Sequence, residues 1–364
     1  MAGTQSVAHD DLVVCACGTQ EYAARDAIEA ALFRGELATI WGEFLQCVAS
    51  EKQAEELEME LGQEALDSAA EAFRYQHDLI TAEETEQWLA ARGLTLDDFS
   101  DYFARKYWLD ALEEKVEPEE IDFVSAPPEL RELFNADLIL SGELDRIVGA
   151  LRWRLAALAA SAEENMDPEM IAAERRNFFD RNKVDLAQLS DWLKSFGRDS
   201  EWFDLMLRME AVYGSRCATL LNPQARKKEL AMLRLRLTRF EAELIQLESR
   251  DAAREALFCV REDGMSMEEV ASVGRYPYRQ VSFLQEDIPT DLQQKLLSVS
   301  PGDVLEPIAR ADGFEVYRIT KKVEPQPDDP VVQARIDRRL LERHFSELAS
   351  KYVEPRLSAT ASPE

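Results

Sequence analysis

Residues 237–249 read LTRFEAELIQLES, and the fold turns on this stretch. Apolar and polar side chains alternate with period two, the pattern of a half-buried strand. Phe240, Ala242, Leu244 and Gln246 share one face, and Glu241, Glu243, Ile245 and Leu247 share the other. Toward the C-terminus, helix signals run from Asp251 to about Asp263 and stop at Gly264, and MSMEEVASVG begins a short helix after Ser266. RQVSFL reads as a second strand, Asp291 to Leu297 as a helix, VLEPIA as a third strand after the turn Ser300-Pro301-Gly302-Asp303, and FEVYRITKKV as a fourth after Ala311-Asp312-Gly313. Beyond Pro325 to Pro330 an amphipathic helix runs to about Val353, and the tail SATASPE reads as disordered.

Upstream of Asn222 and Pro223 the pattern is helical. From Tyr22 to about Lys115, Ile40, Trp41, Phe44, Leu45 and Val48 recur at helical spacing, and the acidic stretch Glu51 to Glu71 reads as a solvated helix face. Thr81 with Glu84, and Thr95 with Asp98, are capping-box signals for two helices separated by Gly93. A second copy follows at an offset of 104: Trp88, Leu89, Gly93 and Phe99 match Trp192, Leu193, Gly197 and Phe203. Pro118, Pro127 and Pro128 mark a connector, and a new helix runs roughly from Ser141 to Ser161. The expected organisation is an N-terminal strand and helix (1–38), helical module 1 (39–125), helical module 2 repeating it (126–222), a small sheet domain (223–325), and a C-terminal helix with its tail (326–364). The fold class is α+β, mostly helical, with duplicated helical modules.

Composition narrows the function. With 42 Lys+Arg against 71 Asp+Glu, the 364-residue chain has a formal net charge of -29, which repels nucleic-acid backbones. No stretch approaches the about 18 apolar residues of a bilayer span. The start MAGTQSVAHDDLVVCACG has no basic region, and its apolar run Leu12 to Cys17 is short, so a cytoplasmic location is expected. Five scattered cysteines fit reduced thiols, with Cys15 and Cys17 in a buried structural role. Nothing at metal-ligand spacing joins His9, His77 and His344, and neither metal nor cofactor is expected. The helix carrying Arg226, Lys227, Lys228, Arg234 and Arg236 opposes the net charge; it would meet the acidic first module or an acidic leader peptide, and the internal contact has the higher effective concentration.

From about Leu233 to Lys322 the sequence resembles the parvulin-type peptidyl-prolyl isomerase domain, carried between helical segments as in SurA- and PrsA-like chaperones. The matching parts are the strand Leu237 to Leu247, DAAREALFCVREDGMSMEEVA, LQQKLLSVSPGDVLEPIARADGFEVYRI, and the closing helix DPVVQARIDRRLLERHF. The resemblance implies a small antiparallel sheet flanked by helices. The family's two sheet histidines are replaced by Glu243, within AELI, and Glu315, within GFEVYRI. Its glycine-rich segment is compressed to VGRYPYRQVSFLQED, so that Tyr276, Pro277, Tyr278 and Phe283 rebuild the proline-receiving surface. If the two glutamates face each other, one is protonated or a cation sits between them; otherwise both point to solvent. Either arrangement disfavours isomerase activity.

The function expected from this degenerate resemblance is a non-catalytic, chaperone-like protein that holds a client or precursor peptide for a modifying enzyme, similar to accessory proteins of systems that mature ribosomally made peptides. Candidate peptide-binding residues are Glu243, Glu315, Tyr276, Tyr278 and Phe283, with the exposed-looking Tyr102, Tyr107 and Trp108 of the first module; Phe103 belongs to the same stretch. The alternatives are an active prolyl isomerase with a non-standard site, or a structural dimer packed through Leu230 to Leu237 or Ala334 to Leu348.

Overall fold

A computed structural model describes residues 9–112, 116–161 and 167–356. The chain divides into two units, Met1–Cys217 with Arg343–Glu364, and Ala218–Glu342. Helices dominate, and the described residues form two small antiparallel sheets, an α+β fold.

The first unit holds β1 (Val13–Cys17) and β2 (Gln20–Ala23), a hairpin turning through Gly18 at φ 60°. Tyr22 thus lies in a strand rather than at the start of a helix. The other neighbour of β1 comes from the far end of the chain, Val353–Pro355, where Cys15 pairs with Pro355. The tail SATASPE lies outside the described residues.

Helix Pro128–Leu140 precedes the expected helix, which starts at Glu143; Gly142, at φ 77°, separates them. The connector reading missed it because every residue from Phe134 to Leu140 is buried, and a helix surrounded on all sides shows no amphipathic period. Asp137 on this helix binds Arg105 of helix Leu96–Ala111, whose side chain is 2% exposed. Burial pushes the Asp137 carboxyl up while Arg105 pulls it down.

The residues matched in the sequence sit in similar ring contacts. Phe73 of helix Gln63–Gln76 meets Trp88 edge-on at 5.3 Å and Phe99 at 5.2 Å; Phe178 of helix Pro168–Asn182 meets Trp192 at 5.2 Å and Phe203 at 5.0 Å. Gly93 and Gly197 end the short helices at φ 75° and 74°, and the next amides, of Leu94 and Arg198, donate to the carbonyls of Leu89 and Leu193 at 2.9 Å. Both capping boxes form, Thr81 with Glu84 and Thr95 with Asp98.

The second unit holds β3 (Arg239–Leu247), β4 (Tyr278–Leu284), β5 (Ile308–Arg310) and β6 (Gly313–Val323) in the order β4-β3-β6-β5. Phe240, Ala242 and Leu244 pack with Tyr317 and Ile319 against Leu292 and Leu296 of helix Thr290–Leu297. Ile245 and Leu247 pack with Val316 against helices Arg250–Arg261 and Met267–Gly274. The β5–β6 turn requires Gly313: at φ 138°, a Cβ there would sit 2.3 Å from the carbonyl oxygen of Leu247.

The basic helix finds its acids within its own unit. Arg226 pairs with Asp337 and Arg234, at the helix C-cap, with Glu324, rather than with the first module, and Arg239 of β3 pairs with Asp329. Leu233 and Leu237 bury against Val332, Ile336 and Leu340, so these apolar positions, expected to join two subunits, are covered within the chain.

Two substitutions test this packing. Asp137→Ala strands a buried guanidinium and is expected to cost about 3–5 kcal/mol in urea unfolding. Gly313→Ala is expected to cost about 1–3 kcal/mol, whereas Gly302→Ala, with open space around its Cβ position, bears only the strain of its positive φ and loses less.

Candidate functional site

The strand register decides what the two glutamates can do. Glu315 pairs with Gln246 across β3 and β6, and Glu243 pairs with Arg318. Positions 243 and 246 differ by an odd number of residues, so their side chains leave opposite faces of the sheet. Glu243 and Glu315 therefore do not face each other, and the shared proton or bridging cation of a facing pair does not arise. Neither simply points to solvent: their side chains are 17% and 15% exposed and both are engaged.

On the face of Phe240, the Glu315 carboxylate accepts from Arg310 Nε at 2.7 Å and from Tyr317 Oη at 2.8 Å, both on Oε2. Burial, then the bond to Glu315, pushes the Tyr317 phenol up to about 12. This corner opens into a cleft of about 560 Å³ whose lining includes Gln246, Pro277, Arg310 and Glu315. Phe283 lies on the same face, stacked on Phe240 at 6.0 Å and edge-on to Tyr317 at 6.3 Å.

On the face of Ile245, Glu243 Oε1 accepts from Tyr278 Oη at 2.9 Å, and its Oε2 lies 3.6 Å from Arg318 Nε. Arg318 also lines a cleft of about 640 Å³ with Val260, Met265 and Val304. Tyr276 packs its ring over Gly274, where a Cβ would come within 2.0 Å of the ring.

The sheet thus brings together Glu315 and Phe283 on one face, and Glu243, Tyr276 and Tyr278 on the other. The remaining candidates belong to the first unit, and two correct the expectation: Tyr102 and Trp108 are 9% and 6% exposed, core residues rather than exposed ones. Tyr107 is half-buried, its hydroxyl beside Gly62. Sequence reasoning missed Gln246, Arg310 and Tyr317. The period-two pattern held the signal for two of them, since Gln246 shares the parity of Phe240 and Tyr317 that of Glu315; Arg310 needed the β5–β6 turn.

Pairs of imidazoles placed on β3 and β6 test the register. Gln246→His with Glu315→His puts two rings directly across a ladder pair, where Cβ atoms stand about 4.5–5.5 Å apart, close enough to share a zinc ion. Calorimetry is expected to show Zn²⁺ binding by that pair and none gained by Glu243→His with Glu315→His; equal binding by both would refute the register.

No protein-family model matches the chain, and no curated protein matches it. Among solved structures it is similar to a peptidylprolyl isomerase, PrsA, from Bacillus anthracis (15% identity, 56% of this chain and 94% of that one, TM-score 0.31) and to PrsA from Bacillus cereus (10%, 59% and 85%, TM-score 0.35). It is also similar to one of the SurA-like chaperones PEB4 and Cj1289 of Campylobacter jejuni (12%, 59% and 89%, TM-score 0.20).

Proposed function

We propose that this protein is a non-catalytic, chaperone-like peptide binder of the cytoplasm, holding a client or precursor polypeptide for a modifying enzyme. The observation that carries the reading is the Gln246–Glu315 pair. Rotation of a prolyl amide is favoured by an apolar, desolvated pocket that suits the twisted bond. Here that corner of the sheet carries a carboxylate already bound by Arg310 and Tyr317, a surface that offers hydrogen bonds to an extended backbone without stabilising a twisted one. The open clefts on the two faces have room for side chains of a bound chain.

Two measurements on the full chain decide the matter. Titration with a permanently unfolded, carboxymethylated protein is expected to give saturable heat, and a protease-coupled proline-peptide assay is expected to show no acceleration over the uncatalysed rate. Absence of heat removes the holder reading; a substantial isomerase rate replaces it with an enzyme.

A further inference from the structure

Strand β4 lies at the edge of its sheet and bonds only to β3. Two hydrogen bonds fix the phase of that ladder: the Gln246 amide donates to the Pro277 carbonyl and the Gln285 amide to the Thr238 carbonyl, each at 3.0 Å. In an antiparallel pair, inward and outward backbone groups alternate. Residues 279, 281 and 283 therefore turn their backbone toward β3, and Tyr278, Gln280 and Ser282 turn theirs outward. No other described strand pairs with them.

Natural edges are shortened, bulged, or guarded by lysine or proline. β4 has no bulge, lysine or proline and keeps an unbroken register over 7 residues, YRQVSFL, with Arg279 as its one charge. The remaining described edges differ: β5 and the strand Val353–Pro355 have 3 residues each, and in β2 the Gln20 side-chain amide covers the Glu21 carbonyl. On one face β4 presents Arg279, then Val281, then Phe283. Arg279 is exposed and has no partner among the described residues, and Val281 and Phe283 are half-buried against the Phe240 cluster. The carboxylates that act on Tyr278, Glu243 and Glu268, belong to the opposite face.

We infer that β4 accepts an extended client segment as an added antiparallel strand, and that the segment carries the pattern apolar-x-apolar-x-acidic. Its apolar side chains meet Phe283 and Val281, its carboxylate meets Arg279, and its main chain bonds to Tyr278, Gln280 and Ser282. This rests on the peptide-holding reading and adds to it a place and a sequence preference.

The test is fluorescence anisotropy of a labelled synthetic peptide containing Val-Ser-Val-Ser-Glu, titrated with the full chain. Gln280→Pro and Ser282→Pro each remove an outward N–H and no ladder bond, and each is expected to weaken binding about tenfold, with thermal melting confirming the fold. Arg279→Glu is expected to reverse the preference, so that a Lys-ended peptide binds more tightly than the Glu-ended one. In the unsubstituted protein, amide exchange at Gln280 and Ser282 is expected to slow when peptide is added. Unchanged affinity in folded proline variants, or no slowing at those amides, overturns the inference. The carboxymethylated unfolded protein separates the two failures: if the proline variants hold it as well as the parent does, β4 is the wrong place and the holder reading stands; if the parent does not hold it, both fall.

Discussion

The second unit depends on one feature of β3, the change of its buried face between Leu244 and Ile245. Up to Leu244 the apolar residues are the even-numbered ones, packed toward helix Thr290–Leu297; from Ile245 they are odd-numbered, packed toward the two helices on the other face. A single strand thereby serves two cores that lie on opposite sides of the sheet and are displaced along it. Each core leaves the other half of its face to polar groups. Glu241 and Glu243 occupy one such corner with Tyr278, Arg318 and Lys321; Gln246 and Glu315 occupy the other with Arg310. A slip of one residue would put Arg, Glu or Gln in the place of most of the buried groups of β3, so the positions of the corners are as fixed as the cores.

That diagonal arrangement explains why the two carboxylates form no acid–base pair. Each is compensated locally by an arginine and a tyrosine, and each is largely withdrawn from water. Half-buried carboxylates persist when hydrogen bonds offset their desolvation: Glu315 accepts two on Oε2, from Arg310 and Tyr317, whereas Glu243 accepts one, from Tyr278, and its Oε2 has only the 3.6 Å approach of Arg318. Beside these corners lie the clefts lined by Arg318 and by Arg310, and the outward backbone of β4.

The first unit achieves its order differently. Two phenylalanines, Phe73 against Trp88 and Phe99, and Phe178 against Trp192 and Phe203, each tie a short helix to its neighbours at nearly equal distances. The glycine turn that follows each short helix holds its φ near 75°, a conformation that most side chains oppose. The unit is closed by pairing β1 with residues 353–355, so its sheet draws on both ends of the chain.

The sequence alone determined whatever local periodicity controls: the alternation of β3 and β6, the capped helices after Thr81, Thr95 and Ser266, and the matched Trp, Gly and Phe positions. Each is set by hydrogen bonding and side-chain direction within a few residues of chain. Tertiary structure decided the rest. The helix Pro128–Leu140 was hidden because burial of every residue from Phe134 onward erases the period of its second half, and the strand Val353–Pro355 because three residues carry none. Tyr102 and Trp108 look alike on an exposed helix and in a core until their neighbours are known. The meeting of Glu315 with Gln246 instead of Glu243 depended on a ladder register that only the packing of two cores could set.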